Sequence, residues 1–151
     1  MKKFKFTMQT LLNVKLTLEK QKMGELSACN ARIQELERQQ EGNYARQQQQ
    51  NTQYTRLLEE GLPVAEASLW RVAFLTLRER IAAQATLIEN TYDERTRIQD
   101  ALLAVMRERK MLEKLREKQQ EEYKTLQKAE DAAAVDEFLS HKVFEGVESV
   151  G

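Results

Sequence analysis

Apolar residues in the second half of the chain recur every seven residues, from Trp70 to Leu126. Alternating steps of four and three from Trp70 mark seventeen positions, and eleven of these are apolar or aromatic. This spacing is typical of the a and d positions of a coiled coil, which pack against a partner helix along their whole length. We call this line of positions the seam. The series is Trp70, Phe74, Leu77, Ile81, Gln84, Ile88, Thr91, Arg95, Ile98, Leu102, Val105, Arg109, Leu112, Arg116, Gln119, Tyr123 and Leu126.

The first half of the chain carries a weaker stripe that becomes polar after residue 36. Its apolar part is Leu12, Leu16, Met23, Leu26, Cys29, Ile33 and Leu36, and it continues through Gln40, Tyr44, Gln47, Asn51, Tyr54 and Leu58. Glutamine is a good helix former, so the run 47–50 is compatible with a solvated helix. The pattern predicts one helix over about 8–60.

Gly61 and Pro63 form the one strong break between these stripes. Glycine suits the residue after a helix and proline suits the first turn of the next, which predicts a turn at 61–63 and a second helix over about 64–140. A short connection makes the helices antiparallel neighbours. Equal distances from the turn then pair the seam residues Leu36 with Ile88, Leu26 with Ile98, and Leu12 with Leu112.

The predicted fold class is therefore all-α, a long antiparallel two-helix coiled-coil hairpin forming a single domain over 1–151. The second helix is longer than the first, so residues beyond about Glu121 have no predicted partner and form a protruding C-terminal helix end. A disordered tail is predicted over 141–151.

Composition supports a helical protein with a thin core. Charged residues make up 32% of the chain, which has one proline and one cysteine. The single cysteine allows no internal disulfide, which fits a reducing compartment. The start of the chain lacks the apolar core of a signal peptide, and no run is long enough to cross a bilayer. We expect a cytoplasmic protein without direct membrane insertion.

Charge is balanced overall but uneven along the chain. Residues 1–22 hold six lysines and one glutamate, and residues 107–128 hold eight basic and five acidic residues. The hairpin places these two stretches together, so the end that carries the termini is predicted to be basic. Residues 129–151 are instead acidic, and with zero net charge no affinity for nucleic acid is expected.

No arrangement of side chains predicts catalysis, a cofactor or a metal. The only histidine, His141, is most simply a surface residue, and Cys29 is most simply a small apolar residue in the seam. One histidine and one cysteine cannot supply a metal cluster or a Cys–His nucleophile pair. The glycines are isolated, so no phosphate-binding loop is present. We expect a protein that is not an enzyme and has no cofactor.

Two features have both a structural and a functional interpretation. Between Trp70 and Leu77, apolar residues surround the helix more completely than one partner helix can cover. They form either a thicker packing region near the turn or an exposed patch for a partner protein. The basic terminal end is either a solvated face or a docking surface for an acidic partner.

Several motifs resemble the flagellar export protein FliJ family over about 4–142. They are Phe4-Lys-Phe6-Thr-Met-Gln9-Thr-Leu11-Leu12-Asn-Val-Lys15 with Glu19, Leu69-Trp70 with Phe74-Leu75-Thr-Leu77-Arg-Glu-Arg-Ile81, Arg109-Lys-Met-Leu112-Glu-Lys-Leu115-Arg116-Glu, and Asp136-Glu137. The break at Gly61 and Pro63 lies where that family turns its hairpin. The Gln-rich stretch before Tyr54 does not follow the family pattern.

The resemblance implies a stalk-like coiled coil of the flagellar type III protein export apparatus, which serves flagellum biogenesis and motility. Its implied partners are the export ATPase hexamer, which it stimulates, the cytoplasmic domain of the export gate protein, and export chaperones. It would lie in the cytoplasm, peripheral to the inner membrane through these partners. The implied export-gate contacts are Tyr44, Tyr54, Trp70, Phe74 and Leu77. The residues predicted to contact the ATPase ring are Lys2, Lys3, Lys5, Lys15, Arg109, Lys114 and Arg116.

Two other functions remain open at this point. The chain could be a generic structural or oligomerising coiled coil, in which the seam pairs between chains. It could also be the equivalent stalk protein of a virulence type III secretion system.

Overall fold

A computed structural model of the protein contains two long α-helices. It describes residues 3–150, and for residues 148–150 it describes the backbone alone. Helix α1 spans Gln9–Glu60 and helix α2 spans Val64–Val150, with 52 and 87 residues respectively. The two helices pack against each other and the described residues contain no strand, which confirms the all-α helical hairpin.

The turn between the helices has the predicted chemistry. Gly61 has a φ of 92°, in the left-handed region that glycine adopts without steric penalty, and its N–H donates to the Leu58 carbonyl at 3.3 Å. The Pro63 carbonyl then accepts the N–H of Ala67 at 3.0 Å, which begins α2. Glu66 in this first turn complements the positive end of the helix dipole.

Contacts divide the chain into two compact units. The terminal unit contains the residues up to Glu19 and those from Ala104 onward, and the central unit is Lys20–Leu103. The core of the terminal unit is Phe6, Leu12 and Leu112, with Phe4 and Leu115 packed against it. The predicted proximity of Leu12 and Leu112 is confirmed. The prediction of one domain over 1–151 stays a prediction.

The central unit is built around the predicted seam. The buried apolar residues of α1 here are Cys29, Ile33 and Leu36, and Leu77 of α2 is buried to 4% exposure. Every predicted seam position of α2 from Trp70 to Arg95 is buried or half-buried in this unit, and the same holds from Val105 to Leu112 in the terminal unit. The seven-residue repeat of α2 is therefore confirmed over this range.

The predicted stripe of α1 is wrong at several positions. Leu16, Met23, Tyr44 and Leu58 are exposed, whereas the buried or half-buried line keeps a strict three-and-four spacing. That line is Leu12, Lys15, Glu19, Lys22, Leu26, Cys29, Ile33, Leu36, Gln40, Asn43, Gln47, Gln50, Tyr54 and Leu57. Polar and charged residues occupy half of these places, so hydrophobicity alone misplaced the stripe.

Two expectations about the C-terminal part are also wrong. Tyr123 was predicted to have no partner within the chain, but the Phe4 ring packs on it, with the two ring centroids 5.6 Å apart. Residues 3–8 precede α1 and are not helical: residues 7–8 form a turn, in which the Phe6 carbonyl accepts the N–H of Gln9 at 3.1 Å. This segment places Phe4 against α2 at Tyr123. The tail predicted to be disordered from residue 141 is helical to Val150, since a lone Gly146 does not stop a helix. Gly151 lies outside the described residues.

Candidate functional site

An aromatic cluster joins the two helices near the turn. It consists of Tyr54 from α1 and of Trp70 and Phe74 from α2. The Tyr54 ring lies 5.1 Å from the Phe74 ring in an edge-to-face arrangement and 5.9 Å from the Trp70 ring. Aromatic pairs in this geometry add about 0.5–1.5 kcal/mol beyond the area that they bury. The cluster therefore holds the turn end of the central unit closed.

Exposed apolar residues surround the aromatic cluster on α2. Val64, Leu69, Val72 and Leu75 are 57–84% exposed. Leu69 and Leu75 line grooves beside α1, whereas Val72 lies on the opposite side of α2 from the seam residues Trp70 and Leu77. The predicted apolar surface around this helix is therefore present, and much of it is open to a partner. We call these four residues the outer apolar patch.

The residues predicted to contact the export gate are not equivalent in the structure. Tyr44 is 52% exposed, whereas Leu77 is only 4% exposed and lies within the seam. Tyr54, Trp70 and Phe74 are half-buried in the aromatic cluster. A partner that docks on the closed helix pair reaches Tyr44 and the edges of the cluster but not Leu77.

Four of the residues predicted to contact the ATPase ring form an accessible basic surface. Lys3, Lys5, Lys114 and Arg116 are exposed and belong to the terminal unit. Among the described residues none of these four takes part in an ion pair. We call them the basic surface. Lys2, which was predicted with them, lies outside the described residues.

Lys15 and Arg109, also predicted to contact the ring, are engaged within the terminal unit. Lys15 pairs with Glu108, and Arg109 pairs with Glu19 across the helices and with Glu113 at 2.9 Å on its own helix. The hydrogen bonds that Arg109 donates to Glu113 and then to Glu19 raise the pKa of Arg109 above its usual value. These two cations stabilise the helix pair and are less available to a partner than the basic surface.

Two glutamines link the helices in the central unit, and neither is among the site residues predicted from the sequence. The Nε2 of Gln40, a residue 6% exposed, donates to the Ile81 carbonyl at 2.9 Å. The Nε2 of Gln84 donates in the opposite direction, to the Leu36 carbonyl at 3.1 Å. Their position in the sequence could have identified them, because both are amides at seam positions. In coiled coils a polar residue at such a position fixes the register more than it adds stability.

Among the described residues, no amide of the α1 seam beyond Gln40 donates to a carbonyl of α2. Asn43, Gln47 and Gln50 occupy its next three positions and are half-buried. Asn43 donates to the side chain of Gln40 at 3.1 Å, within the same helix. The Oε1 atom of Gln50 is buried and has no hydrogen-bond partner among the described residues. We call these three residues the amide segment.

The described residues contain no group of histidine, cysteine, aspartate or glutamate side chains arranged to hold a metal ion. Neither helix, over the described residues, has an apolar stretch long enough to span a bilayer.

Comparison with protein families identifies a family that this chain matches over most of its length. The model of the family described as "Flagellar FliJ protein" matches residues 4–147. The chain belongs to the FliJ family. Neither the curated proteins nor the solved structures contain a match to it.

Membership of the FliJ family fixes the function at a coarse level. The protein is a component of flagellar protein export, and the family is a non-catalytic part of that apparatus. The match extends through both helices and the turn between them.

Proposed function

We propose that this FliJ-family protein binds the hexameric flagellar export ATPase through the basic surface and stimulates its turnover. We further propose that it links the ATPase to the cytoplasmic domain of the export gate and to export chaperones. These contacts would hold it in the cytoplasm at the face of the inner membrane. The match to the family over residues 4–147 carries the proposal.

The basic surface supports the ATPase contact. Lys3, Lys5, Lys114 and Arg116 are exposed and unpaired among the described residues, whereas the neighbouring Lys15 and Arg109 are used in pairs within the chain. Unpaired cations keep their charge available to an acidic partner, and complementary charge raises the rate of encounter and its salt dependence.

The test is an ATPase assay with the cognate export ATPase. Adding the wild-type chain should raise turnover and the hexamer population. Reversing the basic surface (Lys3→Glu, Lys5→Glu, Lys114→Glu, Arg116→Glu) should raise the concentration for half-maximal stimulation by at least about tenfold, because it replaces four attractions by repulsions.

A matched control reverses four exposed arginines of the central unit: Arg46→Glu, Arg56→Glu, Arg78→Glu and Arg80→Glu. This control changes the net charge by the same amount as reversal of the basic surface does. It should stimulate ATPase turnover as the wild type does. Equal loss in both variants would show an effect of net charge alone. Failure of the wild-type chain to change turnover would contradict the ATPase role, as expected for a generic structural coiled coil.

The export-gate contact is supported by the outer apolar patch. Contiguous apolar residues on a protein surface often mark a site where another protein binds. Leu69→Ser with Val72→Ser should weaken binding to the cytoplasmic gate domain, whereas Leu103→Ser with Leu126→Ser, at similarly exposed positions, should not. Equal binding by both variants would remove this patch from the proposal.

A further inference from the structure

The helix pair of the central unit is held unevenly on the two sides of the amide segment. On one side, Cys29, Ile33 and Leu36 are buried, and Gln40 and Gln84 link the two backbones. On the turn side, the aromatic cluster joins the helices. Between these two regions, α1 presents only Asn43, Gln47 and Gln50 to the seam.

Two residues of the amide segment line surface grooves together with α2. Gln47 shares one groove with Phe74 and with the cations Arg71 and Arg78, and Gln50 shares another with Trp70 and Glu66. An amide at a seam position buries less apolar surface than a leucine there would. Among the described residues, Asn43 bonds only within α1 and Gln50 leaves its oxygen unsatisfied. We therefore expect this stretch to stabilise the pair less than the region from Cys29 to Gln40 does.

We propose that the part of α1 after Gln40 separates locally from α2 while the region from Leu26 to Gln40 stays paired. The contacts of Tyr54 with Trp70 and Phe74 hold the helices together here and must break for the helices to separate. The turn at Gly61 then allows the freed end of α1 to move relative to α2. Opening uncovers Phe74 and the otherwise inaccessible Leu77 for an apolar partner.

Opening makes the inner seam of the helix pair a binding site that is available only when the helices have separated. Only the identity of the partner, the export-gate domain, rests on the proposed function. The opening itself is a property of the isolated chain.

Hydrogen exchange on the isolated full-length chain tests the opening, because local separation exposes backbone amides without global unfolding. A single helix of this length is marginal in water, so a released segment exchanges. Amides of residues 43–57 should exchange at least about tenfold faster than those of residues 26–37.

The decisive variant is Gln47→Leu with Gln50→Leu, which replaces seam amides by apolar side chains. It should slow exchange of residues 43–57 by at least about tenfold. Gln48→Leu with Gln49→Leu makes the same chemical change at exposed positions with the same change in helix propensity, and should leave the exchange rates unaltered. Equal exchange in both stretches of the wild type, or equal effects of the two variants, would overturn the opening.

Binding to the cytoplasmic gate domain tests the use of the opening. If the open state is the one that binds, Gln47→Leu with Gln50→Leu should weaken binding by the same factor by which it slows exchange. Unchanged affinity alongside slowed exchange would overturn the role in gate binding and leave the opening supported. Failure of the wild type to bind would count against the proposed function, whereas the exchange result would stand.

Discussion

Arg109 of α2 and Glu19 of α1 form an ion pair across the helices at seam positions where a coiled coil ordinarily places leucine. Their side chains are only 17% and 15% exposed, and Glu113 contacts the same guanidinium. Water therefore screens this pair less than it screens the surface pair of Arg38 and Glu35, whose side chains are 71% and 51% exposed. The terminal unit accordingly contains charge within its seam.

We expect Arg109→Leu alone to lower the melting temperature, because it leaves the Glu19 carboxylate half-buried without its cation. Glu19→Leu should act in the same direction. The double variant should melt above either single variant and close to the wild type, since apolar residues of similar volume replace buried ion pairs with little loss. Thermal unfolding followed by circular dichroism measures all four proteins, and additive effects of the two changes would contradict the pairing.

Leu12 is the most buried side chain of the terminal unit, at 2% exposure. Leu12→Ala should lower the free energy of unfolding by about 2–4 kcal/mol, because it removes apolar contacts with Phe6 and Leu112 and leaves a cavity. Leu11, its neighbour in sequence, is 40% exposed and provides the control. Leu11→Ala should cost less than about 1 kcal/mol in urea unfolding. Similar losses at both positions would contradict the packing of Leu12.

Two glycines of the central unit should respond to alanine with opposite signs. Gly61 has a φ of 92°, which alanine adopts only with strain, so Gly61→Ala should destabilise by about 1 kcal/mol. Gly42 lies within α1, and a Cβ there meets no atom within 4 Å. Gly42→Ala should therefore stabilise by about 0.5–1 kcal/mol through helix propensity. The unfolding midpoints of the two variants in urea should fall on opposite sides of the wild-type value.

The second helix could be predicted in detail because its seam is mostly apolar. Positions from Trp70 to Leu112 follow one repeat, and the single glycine–proline break fixes the turn. The buried line of α1 is less visible, because Lys15, Glu19 and Lys22 stand where leucine is expected. A strict spacing extended from Leu12 to Cys29 would have identified these places, although hydrophobicity does not.

The candidate sites show the same difference between pattern and geometry. Exposed Lys3, Lys5, Lys114 and Arg116 could be foreseen from charge alone. The engagement of Arg109 by Glu19 could not, because the charge of Arg109 predicts a contact with an acidic partner and does not show that its seam position faces Glu19. Leu77 is predicted as a partner contact by resemblance, but its seam position implies burial, and the structure leaves it 4% exposed. The position of a residue in the seven-residue repeat therefore decides whether a partner can reach it.

Tyr92 should make the central unit less stable as the pH rises into the alkaline range. Its hydroxyl donates to the Glu37 carboxylate across the helices, which raises the pKa of the phenol above its ordinary value of 10.0; partial burial acts in the same direction, and Arg95 opposes it. The raised pKa means that the protonated form is favoured by folding. This contribution is complete below the unfolded pKa and is lost as the pH rises through the folded one.

Tyr92→Phe removes this dependence. Between about pH 8 and about pH 11 the melting temperature of the wild type should fall more steeply than that of Tyr92→Phe. At neutral pH the variant should melt below the wild type, because the link between Tyr92 and Glu37 is absent. Tyr44→Phe, at a side chain 52% exposed, serves as the control and should follow the wild type throughout. Parallel curves for wild type and Tyr92→Phe would show that the hydrogen bond to Glu37 contributes nothing to stability.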